Sequence, residues 1–352
     1  MRKGKLANYC GEVVFLGIDV HKKSWQLLAK SSVEELKVSQ PADVNRLYKW
    51  LTTSFPGALF QSAYESGFSG CGLHRSLISL GIDNRIVHAA DIPRSDKGQR
   101  RKSDKLDART IAQYLSQGIL KGIYVPSIEA EELRQLVRRR SQLVRDISRQ
   151  KNRIKSMLDF SGYSLEDFGG KQHWNESFLL WISNLAFATE AGARNRDAAL
   201  EELRDLERLR KKVDKQLLVL SKEAQHQETL SLLRSIPGIG TVGSWVLYSE
   251  LIDIHRFANF DELCGYVGLV PDQRSSGSKT VVGQMTNRGN THIKAILIEC
   301  AWRAVVVSPH FKKLQHQYAQ RMNANKAIVR VAKRLLSVLY AVWRKQIPYQ
   351  EA

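Results

Sequence analysis

The sequence predicts an α/β domain over residues 12–125, followed by a mainly helical remainder. Three observations carry this. Short β-branched and apolar runs interleave with helix-period segments up to Val125. Beyond it, apolar residues recur at heptad-like steps along two long stretches, about 127–158 and 197–224. Near 231 the run SLLRSIPGIGTVGSWVLYSEL reads helix, Pro-Gly-Ile-Gly, helix.

In order, EVVFLGIDV (12–20) is a strand running into an acid, Asp19. SWQLLA and VEELKVS are strands, and DVNRLYKWLTTSF is a helix. ALFQSAYES is a strand that reaches Glu65 just before the turn residues SGFSG. CGLHRSLISLG is helical with a glycine stop, NRIVHA is a further strand, and DKLDARTIAQYLSQG returns to helical period.

After VPS at 125–127, Ser127 is the expected N-cap, with Glu129, Glu131 and Glu132 in the favourable first turn. Leu133, Leu136, Leu143, Ile147, Ile154 and Met157 form an apolar stripe that Arg140 and Gln150 interrupt. Leu203, Leu206, Val213, Leu217 and Leu220 form a second stripe. The pair suggests a helical hairpin or coiled-coil arm, whose seam serves either packing within the chain or a dimer contact. The segment 159–195, with Trp174 and Trp181, has no functional reading.

In the Pro-Gly-Ile-Gly turn, Gly238 and Gly240 allow a tight helix-hairpin-helix whose backbone N–H groups can hold a phosphate; a plain αα turn has the same pattern. The last helix, about 325–346, turns Ile328, Val331, Leu335, Val338 and Val342 inward and leaves Lys326, Arg330, Lys333 and Arg334 on the remaining surface.

The charge balance is extreme. Among 352 residues, 54 Lys and Arg oppose 35 Asp and Glu, a net +19. That excess points to a polyanionic partner, nucleic acid before membrane, since no run of some 18 apolar residues and no signal-peptide h-region occurs. Arg138, Arg139, Arg145 and Arg149 on the first long helix add to this field, as do Lys279, Arg288 and Lys294 further on. Cys10, Cys71, Cys264 and Cys300 form no C-x-x-C and read as reduced thiols of a cytoplasmic protein.

Four carboxylates stand where chemistry could use them. Asp19 and Glu65 end strands, and Asp104 and Asp107 lie three residues apart in RRKSDKLDART. On a helix that spacing puts both on one face, where like charges repel unless a cation compensates; a solvated helix face beside Lys105 and Arg109 is the simpler alternative. If the four meet, hard oxygen donors of this kind suit Mg²⁺ or Mn²⁺ and two-metal phosphodiester chemistry.

The segments FLGIDVHKKSW, YESGFSG, KSDKLDART, SIPGIGTVGSWVL, FDELCGYVGLVP and RSSGSKTVVGQMTNRGNTHIKAIL, in this order, resemble those of insertion-sequence family one-ten (Piv/MooV), the DEDD transposases guided by a bridge RNA. The resemblance covers almost the whole chain. It implies a RuvC-like, RNase H-type catalytic domain (12–125), a coiled-coil arm (126–228) and a C-terminal transposase domain (229–348). It implies that Asp19, Glu65, Asp104 and Asp107 form a metal-binding acidic tetrad, and that a serine in GLVPDQRSSGS, best matched by Ser276 with Ser275 and Ser278 close by, is the nucleophile of a covalent phosphoserine DNA intermediate.

Further implied partners are donor and target duplex DNA, a non-coding bridge RNA that reads both by pairing, and a homodimer or homotetramer in the cytoplasm at the nucleoid. Ile293-Lys294 depart mildly from the Leu-Arg often found there. Three alternatives remain: a site-specific DNA invertase with the same chemistry, a junction endonuclease whose acids activate water without a serine step, and a non-catalytic architectural protein.

Overall fold

The computed structural model describes residues 9–88, 108–170, 173–276, 279–286 and 289–351. The chain divides into two compact units, residues 1–125 and 126–352.

The first unit is a mixed α/β domain. Strands β1 (Val13–Val20), β2 (Ser24–Lys30), β3 (Glu35–Pro41), β4 (Leu59–Glu65) and β5 (Asp83–Val87) form one sheet in the order β3-β2-β1-β4-β5. The β1–β2 and β2–β3 pairs are antiparallel, whereas β1–β4 and β4–β5 are parallel. Period-two alternation splits β1 between two cores. Val14, Leu16 and Ile18 point to one face, where helices α1 (Val44–Ser54) and α2 (Gly72–Ser79) cover them with Leu47, Leu51 and Leu77. Phe15 packs on the other face, with Ala63, Val87, Ile111 and Leu115. Helix α3 (Ala108–Ser116) supplies Ile111 and Leu115 there. Asp43 caps α1, its carboxylate accepting from the backbone N–H groups of Asn45 and Arg46.

Gly17 decides how close α3 comes. A Cβ built there would lie 1.9 Å from the carbonyl oxygen of Ala108 and 2.7 Å from the nitrogen of Ala112. Only a residue without a side chain lets a helix backbone rest on β1.

The second unit is helical apart from one hairpin. Helix α4 (Ile128–Phe160) starts at the expected cap, Ser127 Oγ accepting from Ala130 N at 3.2 Å. A 3₁₀ turn (Leu165–Phe168) and α5 (Glu176–Asn184) lead to α6 (Glu190–Leu220), which returns along α4. The two stripes meet within the chain: Ile147, Ile154 and Leu158 pack with Leu200 and Leu203, and Val137 and Leu143 with Val213 and Leu217. Each such buried side chain contributes about 1.5–3 kcal/mol.

The two polar residues that break the stripe have partners. Buried Gln150 donates to the Ala199 carbonyl at 3.0 Å, and Arg140 Nε meets Asp214 at 2.6 Å. The segment without a functional reading caps the far end of the pair as an aromatic cluster. There Phe178 stacks on Trp181 with ring centroids 5.7 Å apart and meets Phe168 and Trp174 edge-on.

The remaining helices are α7 (Ala224–Arg234), α8 (Thr241–Leu251), α9 (Phe260–Val267), α10 (Thr291–Val307), α11 (Pro309–Ala319) and α12 (Ala324–Lys345). They enclose a core that includes Leu233, Leu247, Leu263, Leu297, Phe311 and Leu335. On α12, Ile328, Val331, Leu335 and Val342 are buried, and Val338 packs half-buried against them. Between α9 and α10 stand β6 (Pro271–Ser276) and β7 (Lys279–Met285), an antiparallel pair.

Candidate active site

In the first unit the parallel ladder places Ile18 opposite Tyr64, so Asp19 and Glu65 each follow the last paired residue at the same end of neighbouring strands. Neighbouring strands lie about 4.8 Å apart. Both carboxylates also share a face. Asp19 is two residues past Gly17, and Glu65 two past Ala63, the two residues that α3 covers. They therefore leave the sheet on the α3 side, where α3 itself begins at Ala108. Asp104 and Asp107 lie outside the described residues; in sequence Asp107 immediately precedes Ala108.

Asp19 is about a quarter exposed, and His21 Nε2 lies 3.2 Å from its Oδ2. Sequence reading passed over His21, although its place two residues after the acid was visible. Two half-buried carboxylates one strand apart are a hard, anionic donor pair, which fits a divalent cation better than a soft metal. Among the described residues no group of three or more candidate metal ligands occurs, Asp104 and Asp107 not being among those residues.

In the second unit Ser276 ends β6, its backbone paired with Lys279 across the turn; Gly277, Ser278 and Arg288 lie outside the described residues. The feet of this hairpin are tied down. Thr286 N donates to the Val270 carbonyl at 3.1 Å and Asn290 N to the Tyr266 carbonyl at 2.8 Å. A Cβ on Gly289 would lie 2.6 Å from Gly268 N, so a glycine-on-glycine contact brings the two feet together. Lys294 Nζ donates to the Thr286 carbonyl at 2.8 Å.

Below the feet lies a buried ionic cluster that sequence reading missed. Glu250, 1% exposed, accepts from Arg138 Nε at 2.6 Å and Nη2 at 2.8 Å, and from Asn290 Nδ2 at 2.8 Å. Burial alone would raise the Glu250 carboxyl, but the hydrogen bonds from Arg138 and Asn290, with the charges of Arg138 and Arg134, hold it below the ordinary range. The one available signal was a lone acid inside the apolar run GSWVLYSELI.

The cluster engages Arg138, expected from sequence to contact phosphate: its Nε and Nη2 both donate to Glu250. Gly238 also has another duty. At φ +85° its Cβ would lie 2.3 Å from the Cys300 carbonyl oxygen, so it lets the turn before α8 rest on α10. Gly240, at the α8 N-cap, has open space around its Cα. Arg139, Arg145, Arg330 and Arg334 are exposed, Lys333 is half-buried, and Arg149 is exposed but paired with Asp146. Cys264 and Cys300 are buried free thiols, the latter pushed up to about 12 by burial. Among the described residues no helix is long and apolar enough to cross a membrane.

The first unit, a mixed α/β domain with Asp19 and Glu65 at one end of its sheet, is consistent with a nuclease-like domain, and the second unit is mostly helical. Comparison with known proteins gives the family. The model of the DEDD transposases of the IS110 type, described as a transposase, matches residues 16–162, and that of the transposase IS116/IS110/IS902 family matches residues 230–316. The chain belongs to the IS110 family of insertion-sequence transposases, enzymes that cleave and transfer DNA strands.

It is 28% identical over 298 residues to a Sinorhizobium fredii protein named as a transposase, y4qE, covering 82% of this chain and 71% of that one. To the transposase for insertion sequence element IS1111A of Coxiella burnetii it is 25% identical over 284 residues, 79% and 76% of the two chains. The pilin gene-inverting protein of Moraxella bovis is 29% identical over 141 residues, 39% of this chain and 42% of that one.

Proposed function

We propose that the chain is a metal-dependent recombinase in which Asp19, Glu65, Asp104 and Asp107 bind Mg²⁺ or Mn²⁺ and Ser276 is the nucleophile. The observation that carries the metal site is the shared exit of Asp19 and Glu65 on the α3 face, with α3 beginning one residue after Asp107. The sheet order, three antiparallel strands continued by two parallel ones, supports a RuvC-like, RNase H-type domain. We take 126–228 as the arm and 229–348 as the domain bearing the serine.

Divalent ions held by the four acids supply the positive charge that activates a hydroxyl and stabilises a leaving oxygen. Ser276 Oγ attacks a DNA phosphorus; the Oγ–P bond forms, the P–O bond to the neighbouring sugar breaks, the serine proton leaves to a base, and the freed sugar oxygen takes up a proton. Reversal by another strand's sugar hydroxyl restores the serine, so joining needs no ATP. Glu250, Arg138 and Asn290 hold the base of the hairpin on which Ser276 stands.

A bridge RNA chooses donor and target by pairing, and the net +19 suits a protein holding RNA and DNA together. Two duplexes in one reaction call for a dimer or tetramer, working at the nucleoid in the cytoplasm. The moraxellar inverting protein keeps a second reading open, an invertase with the same chemistry.

The test is strand cleavage of element-end DNA, with co-purified RNA, across a Mg²⁺ titration. Asp19→Asn, Glu65→Gln, Asp104→Asn and Asp107→Asn should each lose cleavage by orders of magnitude while melting like wild type. Full activity in any of the four removes that residue from the metal site.

A further inference from the structure

Ion pairing redistributes the positive charge of the long helix pair. On α4, Arg134 and Arg138 turn inward to Glu250, Arg140 to Asp214, and Lys151 to Glu207, while Arg149 and Arg153 pair with Asp146 and Glu202. Much of the α4 basic run is therefore neutralised inside the chain.

The helix opposite keeps its charge. On α6, Arg204, Arg208, Lys211, Lys212 and Lys215 step by four, three, one and three residues and so share one side of the helix. All five are exposed, while Leu203, Val213 and Leu217 face α4. Arg208 pairs with Asp205 at 2.9 Å; the other four have no ion-pair partner among the described residues. Of the other two carboxylates between Arg204 and Lys215, Glu207 is held by Lys151 of α4 at 3.1 Å and Asp214 by Arg140 at 2.6 Å. With α5, which contributes Glu176, this side forms an open groove of about 630 Å³ that no aromatic side chain among the described residues lines.

We infer that this face of α6 is a docking track for the sugar-phosphate backbone of duplex DNA. The inference rests on the chain being a transposase, and on charge complementarity. At 1.5 Å per residue the stripe is about 16 Å long. A duplex presents one negative charge per roughly 1.7 Å of axis, so several phosphates fall within reach of these mobile side chains. A groove without an aromatic anchor suits phosphate contact better than a protein interface, whose energy concentrates in buried aromatic and arginine anchors. Such a track carries no sequence information; it positions the duplex while other elements select it.

The test is the salt dependence of binding to a duplex of random sequence, read by fluorescence anisotropy. Lys211→Gln/Lys212→Gln/Lys215→Gln should lower the slope of log K against log salt by about 3, one unit per lost phosphate contact. The melting temperature should not move, since all three are exposed. The matched control Arg303→Gln/Lys312→Gln/Lys313→Gln, on exposed positions of α10 and α11, should keep the wild-type slope.

An unchanged slope in the α6 variant, or an equal drop in the control, overturns the track. A variant that loses affinity for single-stranded RNA but keeps its DNA slope makes the surface an RNA site and overturns the assignment to DNA. If wild type itself ignores duplex, the failure is of DNA engagement by the whole chain, and the track falls with it.

Discussion

Gly17→Ala tests the packing on which the proposed metal site depends. The new methyl would sit 1.9 Å from the Ala108 carbonyl oxygen and 2.7 Å from Ala112 N. Both are helix backbone, so no side-chain rotation relieves the clash, and α3 must retreat by more than 1 Å. Retreat loosens Ala108, Ala112, Ile111 and Leu115, all buried against the sheet. Overpacking in a core costs about 1–3 kcal/mol, and a backbone clash belongs at or above the upper end. For a unit of this size about 3 kcal/mol lowers the melting temperature by roughly 10 °C.

Differential scanning calorimetry measures the shift, and cleavage of element-end DNA should fall with it, because in sequence Asp107 immediately precedes the first residue of α3. Gly72→Ala is the control. A Cβ there meets nothing within 4 Å, and removing the glycine's freedom should leave stability equal or raise it by up to about 1 kcal/mol. A Gly17→Ala protein that melts and cleaves like wild type refutes the placement of α3 on β1.

Three further outcomes follow from the geometry. Gly238→Ala combines a left-handed φ of +85° with a 2.3 Å approach to the Cys300 carbonyl, and chemical denaturation should show a loss of about 3 kcal/mol or more. Glu250→Ala strands Arg138 and Asn290 and should cost about 3–5 kcal/mol. Because the folded Glu250 carboxyl lies below its ordinary 4.5, it contributes stability above that pH which is lost as pH falls through the folded value, and Glu250→Gln should flatten that acid limb of the stability curve. Burial holds His74, His226 and His292 below the ordinary 6.5, so the unfolded chain binds more protons as pH falls. Melting temperature should therefore rise with pH between about 5 and 7; a flat profile there contradicts the burial of all three.

Much of the first unit was legible because its strands keep period two and its turns carry Gly, Asp or Ser. Asp19 and Glu65 stood out as acids closing apolar runs. Their shared face was not legible, because it depends on the register of β1 with β4 and on Gly17 meeting α3. Helix α6 begins at Glu190, earlier than the expected 197, because the polar run EAGARNRD carries no apolar stripe to betray it. The β6–β7 pair was not read as strands, since PDQRSS is polar throughout; feet far apart in sequence tie it down. Arg138 gave no sign of its ion pair for a related reason. Its partner Glu250 lies 112 residues away, and a local pattern cannot tell an arginine that points at solvent from one that points at a buried acid.

The most direct test of the central claim is a search for a protein–DNA adduct that survives denaturation, formed in Mg²⁺ on element-end DNA with the co-purified RNA. Wild type should form it, Ser276→Ala and Asp104→Ala should both lose it, and peptide mapping should find the nucleotide on Ser276 rather than Ser275 or Ser278. Cleavage that persists in Ser276→Ala with no adduct in any variant would mean that water, not serine, attacks the phosphodiester.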